Sequence, residues 1–276
     1  MMSNIKKIYR NINKHLIINF IKIINPFFQK IGIYLLPRFS ELKKYKLTYA
    51  KKTRRYLIKN ENKSFNKFFI DSSLSNTELC LLGKKYPTNK SPLNEKGHRS
   101  GFTGIYTILF ANLKNKKINI AEIGIEENSS TKIWRKYFEN SKIYAFEFDK
   151  KKIIKAKKNK LKNTFYFATD VSKREIIKKS FSKTKSKFDI IIDDSTHIFE
   201  HQINIIKETY KFLKKDGILI IEDIYKYVKK YNEYNYYNEL NYLRKEFNDI
   251  FFIESINYNN FNASWRNEKV LVFIKK

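Results

Sequence analysis

Cysteine is nearly absent: Cys80 is the only one in 276 residues, which excludes an internal disulfide framework and leaves thiolate metal chemistry without ligands. Long apolar runs are absent as well. The most apolar stretch, residues 15–36 (HLIINFIKIINPFFQKIGIYLL), is broken by Lys22, Pro26 and Lys30 before it reaches the ~20 apolar residues that span a bilayer. A basic start ahead of an apolar stretch has the outline of a signal peptide, but no small-residue cleavage site follows, so export is not expected and a cytoplasmic protein is. Acidic residues are scarce, 27 against 57 Lys plus Arg, for a formal charge of +30. Within that surplus arginine is scarce too, 9 against 48 lysines. The planar fork that reads phosphates and base edges is therefore under-represented, and an AT-rich genome accounts for lysine saturation better than nucleic-acid contact does.

What is present is unevenly spread. Residues 1–60 carry 15 basic side chains against one acid, and residues 150–187 carry 15 against two. Residues 1–83 are expected to form a basic, mainly helical amino-terminal region. It either packs on the main domain or a second subunit of a homo-oligomer, or lies on the anionic inner face of a membrane through residues 1–60. The 42% hydrophobic content is enough to build a core.

From residue 118 onward short β-branched runs alternate with helical segments, the pattern of a parallel sheet with crossover helices. Strands are expected at 118–123, 142–148, 164–168, 188–193, 217–222, 250–256 and 269–274, with helices at 129–139, 150–160, 172–180, 199–214 and 234–247. No helix separates the last two strands, so they should pair antiparallel. The expectation is an α/β, doubly wound, seven-stranded, mostly parallel Rossmann-like sheet over residues 84–276.

In such sheets ligands bind beyond the carboxyl ends of the strands. The first of these strands ends in Glu122-Ile-Gly124, with Asn128-Ser-Ser130 opening the next helix. This is not GxGxxG, and the two acids in the turn would repel a pyrophosphate, so a nicotinamide dinucleotide is disfavoured. Glu147 ends the second strand at the distance where a carboxylate accepts from ribose hydroxyls, and Asp170 ends the third, placed to meet an adenine amino group. Together these suit an adenosine pocket. The fourth strand ends in Asp193-Asp194-Ser-Thr-His197 and the fifth in Glu222-Asp223. Four convergent carboxylates call for a cation, and oxygen-only ligands favour Mg²⁺ or Mn²⁺, with His197 at hand to remove a proton. His197-Ile-Phe-Glu200-His201 also spells H-x-x-E-H, but the first histidine sits at a strand end rather than on a helix, which argues against a zinc site.

These residues together resemble the metal-dependent class I S-adenosylmethionine methyltransferases, the group that includes macrolide-sugar O-methyltransferases and cephalosporin-biosynthesis methyltransferases. DDSTH (193–197), ED (222–223) and EIG (122–124) stand where that family has D-D-G-S-H, E-D and E-I-G. The likeness covers roughly residues 84–225. It implies Asp194, Glu222 and Asp223 as metal ligands and His197 as general base. Glu122, Gly124, Glu147, Asp170 and Asp193 would form the cofactor shell, Asp193 holding the cofactor's amino end. Thr103 and Tyr106 would touch the cofactor, and His98 and Arg99 the substrate. Asn128 and Ser129 depart from a pair of glycines, and Ser195 from a third. Asn tolerates positive φ, so the turn is compatible with the substitution.

The reaction implied is methyl transfer to a sugar hydroxyl, with a nucleotide-activated sugar, such as a heptose for a bacterial capsule or other surface glycan, as acceptor by analogy within the family. Two rivals stand beside it: a phenol or catechol O-methyltransferase using the Tyr- and Phe-rich segments 225–237 and 251–261, and a non-catalytic membrane- or partner-binding protein. Nucleic acid is not the expected partner, because the N/D-P-P-Y strand end of amino-directed enzymes is missing.

Overall fold

A computed structural model describes residues 64–95, 98–256 and 268–276, together with Phe20, Ile23 and Ile24. The chain divides into two compact units, residues 1–62 and 63–276. In the first only Phe20, Ile23 and Ile24 are described, each helical, so the expected helices and membrane contact of residues 1–60 lie outside the described residues.

The second unit is built on eight strands: β1 (Asn66–Asp71), β2 (Asn119–Ile123), β3 (Lys142–Glu147), β4 (Thr164–Ala168), β5 (Phe188–Asp193), β6 (Leu213–Ile221), β7 (Phe247–Ile256) and β8 (Lys269–Lys275). They lie in the order β1-β7-β8-β6-β5-β2-β3-β4. Every neighbouring pair is parallel except β8 with β6 and β8 with β7, which are antiparallel. The expected closing antiparallel pair is therefore present.

Side chains alternate across the pleat, so each strand feeds two cores. Ile120, Ile190, Ile192, Ile220 and Val272 point to one face. There they meet α1 (Glu78–Lys85), α2 (Phe102–Leu109) and α3 (Ser129–Tyr137) through Leu79, Ile105 and Trp134. Ala121, Ile123, Ile191, Leu219 and Phe273 point to the other. Against them pack α5 (Arg174–Lys183), α6 (Phe199–Thr209) and α7 (Glu233–Leu240) through Phe181, Ile206 and Tyr236. Helix α4 (Lys150–Lys157) begins at Asp149, whose carboxylate caps the Lys151 amide at 2.7 Å.

Two expectations need correction. The sheet has an eighth strand: β1 pairs in parallel with β7, and with α1 it belongs to the sheet unit, so the boundary falls at 62/63 rather than 83/84. NKFFID lies on the sheet edge with an irregular burial pattern, so it lacks the alternation by which a half-buried strand is read. The helix expected at 199–214 stops at Thr209, because a 3₁₀ turn over Tyr210–Phe212 hands the chain to β6 four residues early.

The sheet's direction of growth reverses between β2 and β5. From β2 the chain runs outward through β3 to β4, then crosses back to place β5 on the other side of β2. The crevice at a switch point of this kind is where an open α/β sheet takes its ligand.

Candidate active site

At the switch point two turns touch. Gly124 has φ 86°, and a Cβ built on it would lie 2.1 Å from the Asp194 carbonyl oxygen and 2.7 Å from Ser195 Cα. Only glycine fits there. Asp194 N donates to Ile123 O at 2.8 Å, and Glu222 N to Asp193 O at 2.9 Å, so the ends of β2, β5 and β6 are laced into one platform. Asn128 adopts φ 64° just before α3, with Nδ2 donating to Tyr166 Oη at 3.1 Å. Asn128 thus supplies the left-handed residue for which a glycine would otherwise serve.

On this platform four carboxyls meet one imidazole and one ammonium. His197 Nε2 lies 3.2 Å from Asp194 Oδ1 and 3.1 Å from Asp223 Oδ2. His197 (φ 57°) and Asp223 (φ 54°) both have left-handed backbones, and non-glycine residues hold such conformations where the surroundings enforce them. Tyr231 Oη donates to the His197 carbonyl at 2.9 Å, which braces that conformation. Asp193 is buried, and its Oδ1 accepts from Ser195 N (3.2 Å) and Ser195 Oγ (2.6 Å).

Lys90, which the sequence did not single out, enters the cluster from the loop between α1 and α2. Its Nζ donates to Asp194 Oδ2 at 2.5 Å and to Glu222 Oε2. Tyr106 Oη, from α2, donates to Glu222 Oε1 at 2.5 Å. Glu222 was expected as a metal ligand, but it is 1% exposed and both its oxygens are engaged. Gln202 Nε2 fixes its carbonyl at 3.0 Å and is itself held by Tyr236 Oη. Among 48 lysines nothing in the sequence marks one as buried.

The electrostatics report a shortage of positive charge. Burial pushes the Asp193 carboxyl up to about 7. Glu222 rises to about 8 through burial, with Asp194 and Asp223 adding to it against the pull of Lys90. Asp223 rises to about 6 through burial and the Asp194 charge. Asp194 goes the other way: burial opposes its charge, but Lys90 and His197 more than offset it. Burial would lower His197, yet the Asp194 hydrogen bond and the charges of Asp223, Asp194 and Asp193 lift it to about 9. Lys90 is held far above its usual range: Asp194 and Glu222 outweigh its burial.

Carboxyls that retain protons in this way suit an added cation. Asp194, His197 and Asp223 offer one ligand atom each, all within 4.8 Å of one another. These three could hold a divalent ion, whereas Glu222 as it stands faces away toward Lys90 and Tyr106. The H-x-x-E-H residues do not converge, since Glu200 pairs with Lys230 at 2.6 Å and His201 Nδ1 lies 2.9 Å from Thr196 Oγ1.

The remaining candidates divide. Glu147 closes β3 beside the Gly124 turn and accepts from the amides of Ile125 (3.2 Å), Phe148 (2.9 Å) and Asp149 (3.0 Å). Asp170 accepts from Ser172 N (3.0 Å) and Oγ (2.6 Å), and these bonds hold its carboxyl below the usual range. Both stand at strand ends on the crevice side. Glu122 is a correction: it is fully buried, with its oxygens accepting from Thr131 Oγ1 (2.6 Å) and Trp134 Nε1 (2.8 Å), so it anchors α3. Thr103 is another, because it is wholly buried and its hydroxyl and amide fasten the Lys90 carbonyl, at 3.3 and 3.0 Å. Tyr106 serves Glu222 rather than a cofactor. In the loop, Arg99 Nε donates to Asn94 O and Asn94 Nδ2 to His98 O.

The chain belongs to the methyltransferase-domain family: a family model of that description matches residues 126–268, just over half of it. The sheet order and switch-point site are those of a class I methyltransferase fold. A curated relative from Streptomyces olivaceus, 8-demethyl-8-(2-methoxy-alpha-L-rhamnosyl)-tetracenomycin-C 3'-O-methyltransferase, is 26% identical over 131 residues, 45% of this chain and 32% of that protein. Among solved structures, the MycE methyltransferase of the mycinamycin biosynthetic pathway in complex with Mg and SAH superposes with TM-score 0.54 at 18% identity, over 73% of this chain and 55% of that one. The same enzyme with Mg, SAH and mycinamycin VI gives 0.51. The chain thus spans about a third of the curated relative and just over half of the solved one. Among the described residues no helix is long and apolar enough to cross a membrane.

Proposed function

We propose that this protein transfers a methyl group from S-adenosylmethionine to a hydroxyl oxygen of a sugar. The observation that carries the reading is the meeting of Asp194, His197 and Asp223 beside the Gly124 turn, at the switch point of a methyltransferase fold. The relatives supply the substrate class, since one is named for 3'-O-methylation of a rhamnosyl compound.

Glu147, Asp170 and Asp193 would hold the ribose, adenine and amino ends of the cofactor, whose sulfonium makes the methyl carbon electrophilic. Asp194 and Asp223 would hold a divalent ion such as Mg²⁺, which lowers the pKa of a hydroxyl beside it. His197 Nε2 takes the hydroxyl proton as the oxygen attacks, and Tyr231 keeps the imidazole in place through the His197 carbonyl. To act as a base His197 must first be neutral, so a second cation in the cluster helps it by offsetting the aspartate charges. Lacing of three strand ends fixes these groups before substrate arrives, which is how orientation contributes to rate.

A nucleotide-activated sugar for a surface glycan is the first acceptor to try. A phenolic acceptor is the second reading, favoured by the aromatic wall beside His197, where Tyr225 and Phe199 pack edge-on against Tyr231 at 5.1 and 6.1 Å. Calorimetry with S-adenosylhomocysteine, followed by a radiolabelled methyl-transfer screen of nucleotide sugars, sugar glycosides and catechols, tests the proposal. Saturable binding with transfer to a sugar is the expected result. Absence of cofactor binding, with and without Mg²⁺, refutes it.

A further inference from the structure

The Lys90 ammonium sits where a divalent ion bound by both Asp194 and Glu222 would have to sit. Its two contacts are to Asp194 Oδ2 and Glu222 Oε2, and these oxygens belong to two of the three ligands that the family resemblance implies. The placement is built rather than incidental. The Lys90 carbonyl is held by Thr103, its amide reaches Thr88 Oγ1 at 3.4 Å, and neighbouring Ser91 donates to Cys80 O at 2.8 Å. The residue is 5% exposed. A buried ammonium is strongly disfavoured without partners, and here it has two carboxylates, while Tyr106 satisfies the other Glu222 oxygen. A metal that uses Glu222 must therefore evict an existing cation.

We infer that Lys90 is the resident cation of this site, and that full metal loading is a displacement of its ammonium from Asp194 and Glu222 rather than the filling of an empty seat. The inference rests on the methyltransferase reading but concerns a different property of the site, its preference among cations. It makes Lys90 a positioning residue: with Tyr106 it holds the Glu222 carboxyl turned away from Asp223, and it raises the concentration at which a divalent ion can load. Because Lys90 comes from the loop ahead of α2, displacement would also release that loop's grip on the platform.

The test uses the full chain and Mn²⁺. Reductive methylation read by peptide mass spectrometry should find Lys90 protected in the metal-free protein and labelled several-fold more at saturating Mn²⁺. Titration of Lys90→Met, which keeps the length and removes the charge, should show Mn²⁺ affinity tighter than the parent by about tenfold or more, since a like charge within a few ångströms has been removed. Unchanged Lys90 protection at saturating Mn²⁺ overturns the inference, and so does a folded Lys90→Met whose affinity is equal or weaker. If the parent binds no Mn²⁺, tight binding by Lys90→Met supports the inference and absence of binding by both overturns it. Should Lys90→Met not fold, the labelling of the parent decides. S-adenosylhomocysteine binding, measured alongside, keeps the two readings apart: loss of cofactor binding counts against methyl transfer, and unchanged Lys90 behaviour counts against the displacement alone.

Discussion

Gly124 and the Asp194 carbonyl are packed so closely that a single added methyl would sit 2.1 Å from that oxygen. The contact joins the turn after β2 to the turn after β5, where no side chain could shift to make room. Gly124→Ala meets both the clash and a left-handed φ of 86°. Its cost should be about 3 kcal/mol or more, in the range of strained core substitutions. Urea unfolding of the variant would show it, and a loss below about 1 kcal/mol would mean that the two turns are not locked together.

Asn128 makes a milder case. Its φ of 64° lies in the region that Asn tolerates and β-branched residues do not. Asn128→Gly should change stability by less than about 1 kcal/mol, whereas Asn128→Val should cost about 1–2 kcal/mol. Equal effects of the two substitutions would show that the Tyr166 hydrogen bond, and not the backbone, makes the position matter.

His197→Ala should lower turnover by about 10²–10⁴-fold, the usual contribution of a positioned general base, while S-adenosylhomocysteine binding persists. The matched loss of binding and rate would instead assign His197 to the architecture of the pocket.

Stability of the metal-free protein should fall as pH rises from about 6 to 9. His197 has a folded value of about 9 against an ordinary 6.5. Its contribution is full below 6.5 and is lost as pH climbs through 9. Asp193 (about 7), Asp223 (about 6) and Glu222 (about 8) are also raised when folded, so each likewise loses its contribution as pH passes its folded value. The signs agree. A saturating divalent ion should flatten the slope, because it supplies the charge that the protons had supplied. Melting temperatures at pH 6 and 9, with and without Mg²⁺, measure the effect, and a metal-free protein more stable at pH 9 would contradict it.

The sequence makes the strand ends legible because a buried parallel strand is a short apolar run, and the charged residue that stops the run marks its carboxyl end. FDIIID and GILII show this for β5 and β6, and their terminal residues Asp193, Asp194, Glu222 and Asp223 do lie on one platform. Which way a carboxylate faces is not written in such a run. Glu122 and Glu147 each sit at or beside the carboxyl end of an apolar run, yet Glu122 turns under α3 to meet Trp134, and only the packing decides that. Thr103 stands in the segment that the resemblance brings to the cofactor, yet it lies in the first turn of α2, where its neighbours cover it completely. Lys90 was hidden by abundance, and β1 by its place on the sheet edge, where the burial pattern no longer alternates.

The lacing of the Asp194 and Glu222 amides into the β2–β5–β6 platform has a dynamic consequence. Amides bonded between central strands become accessible to solvent only when the sheet itself opens, so those of Asp194 and Glu222 should be among the slowest in the chain to exchange with deuterium. The backbone positions that carry these two carboxyls then stay fixed until the sheet itself opens. Partial damage to the fold at its rim, at β1 or β4, should leave them in place until the whole sheet gives way.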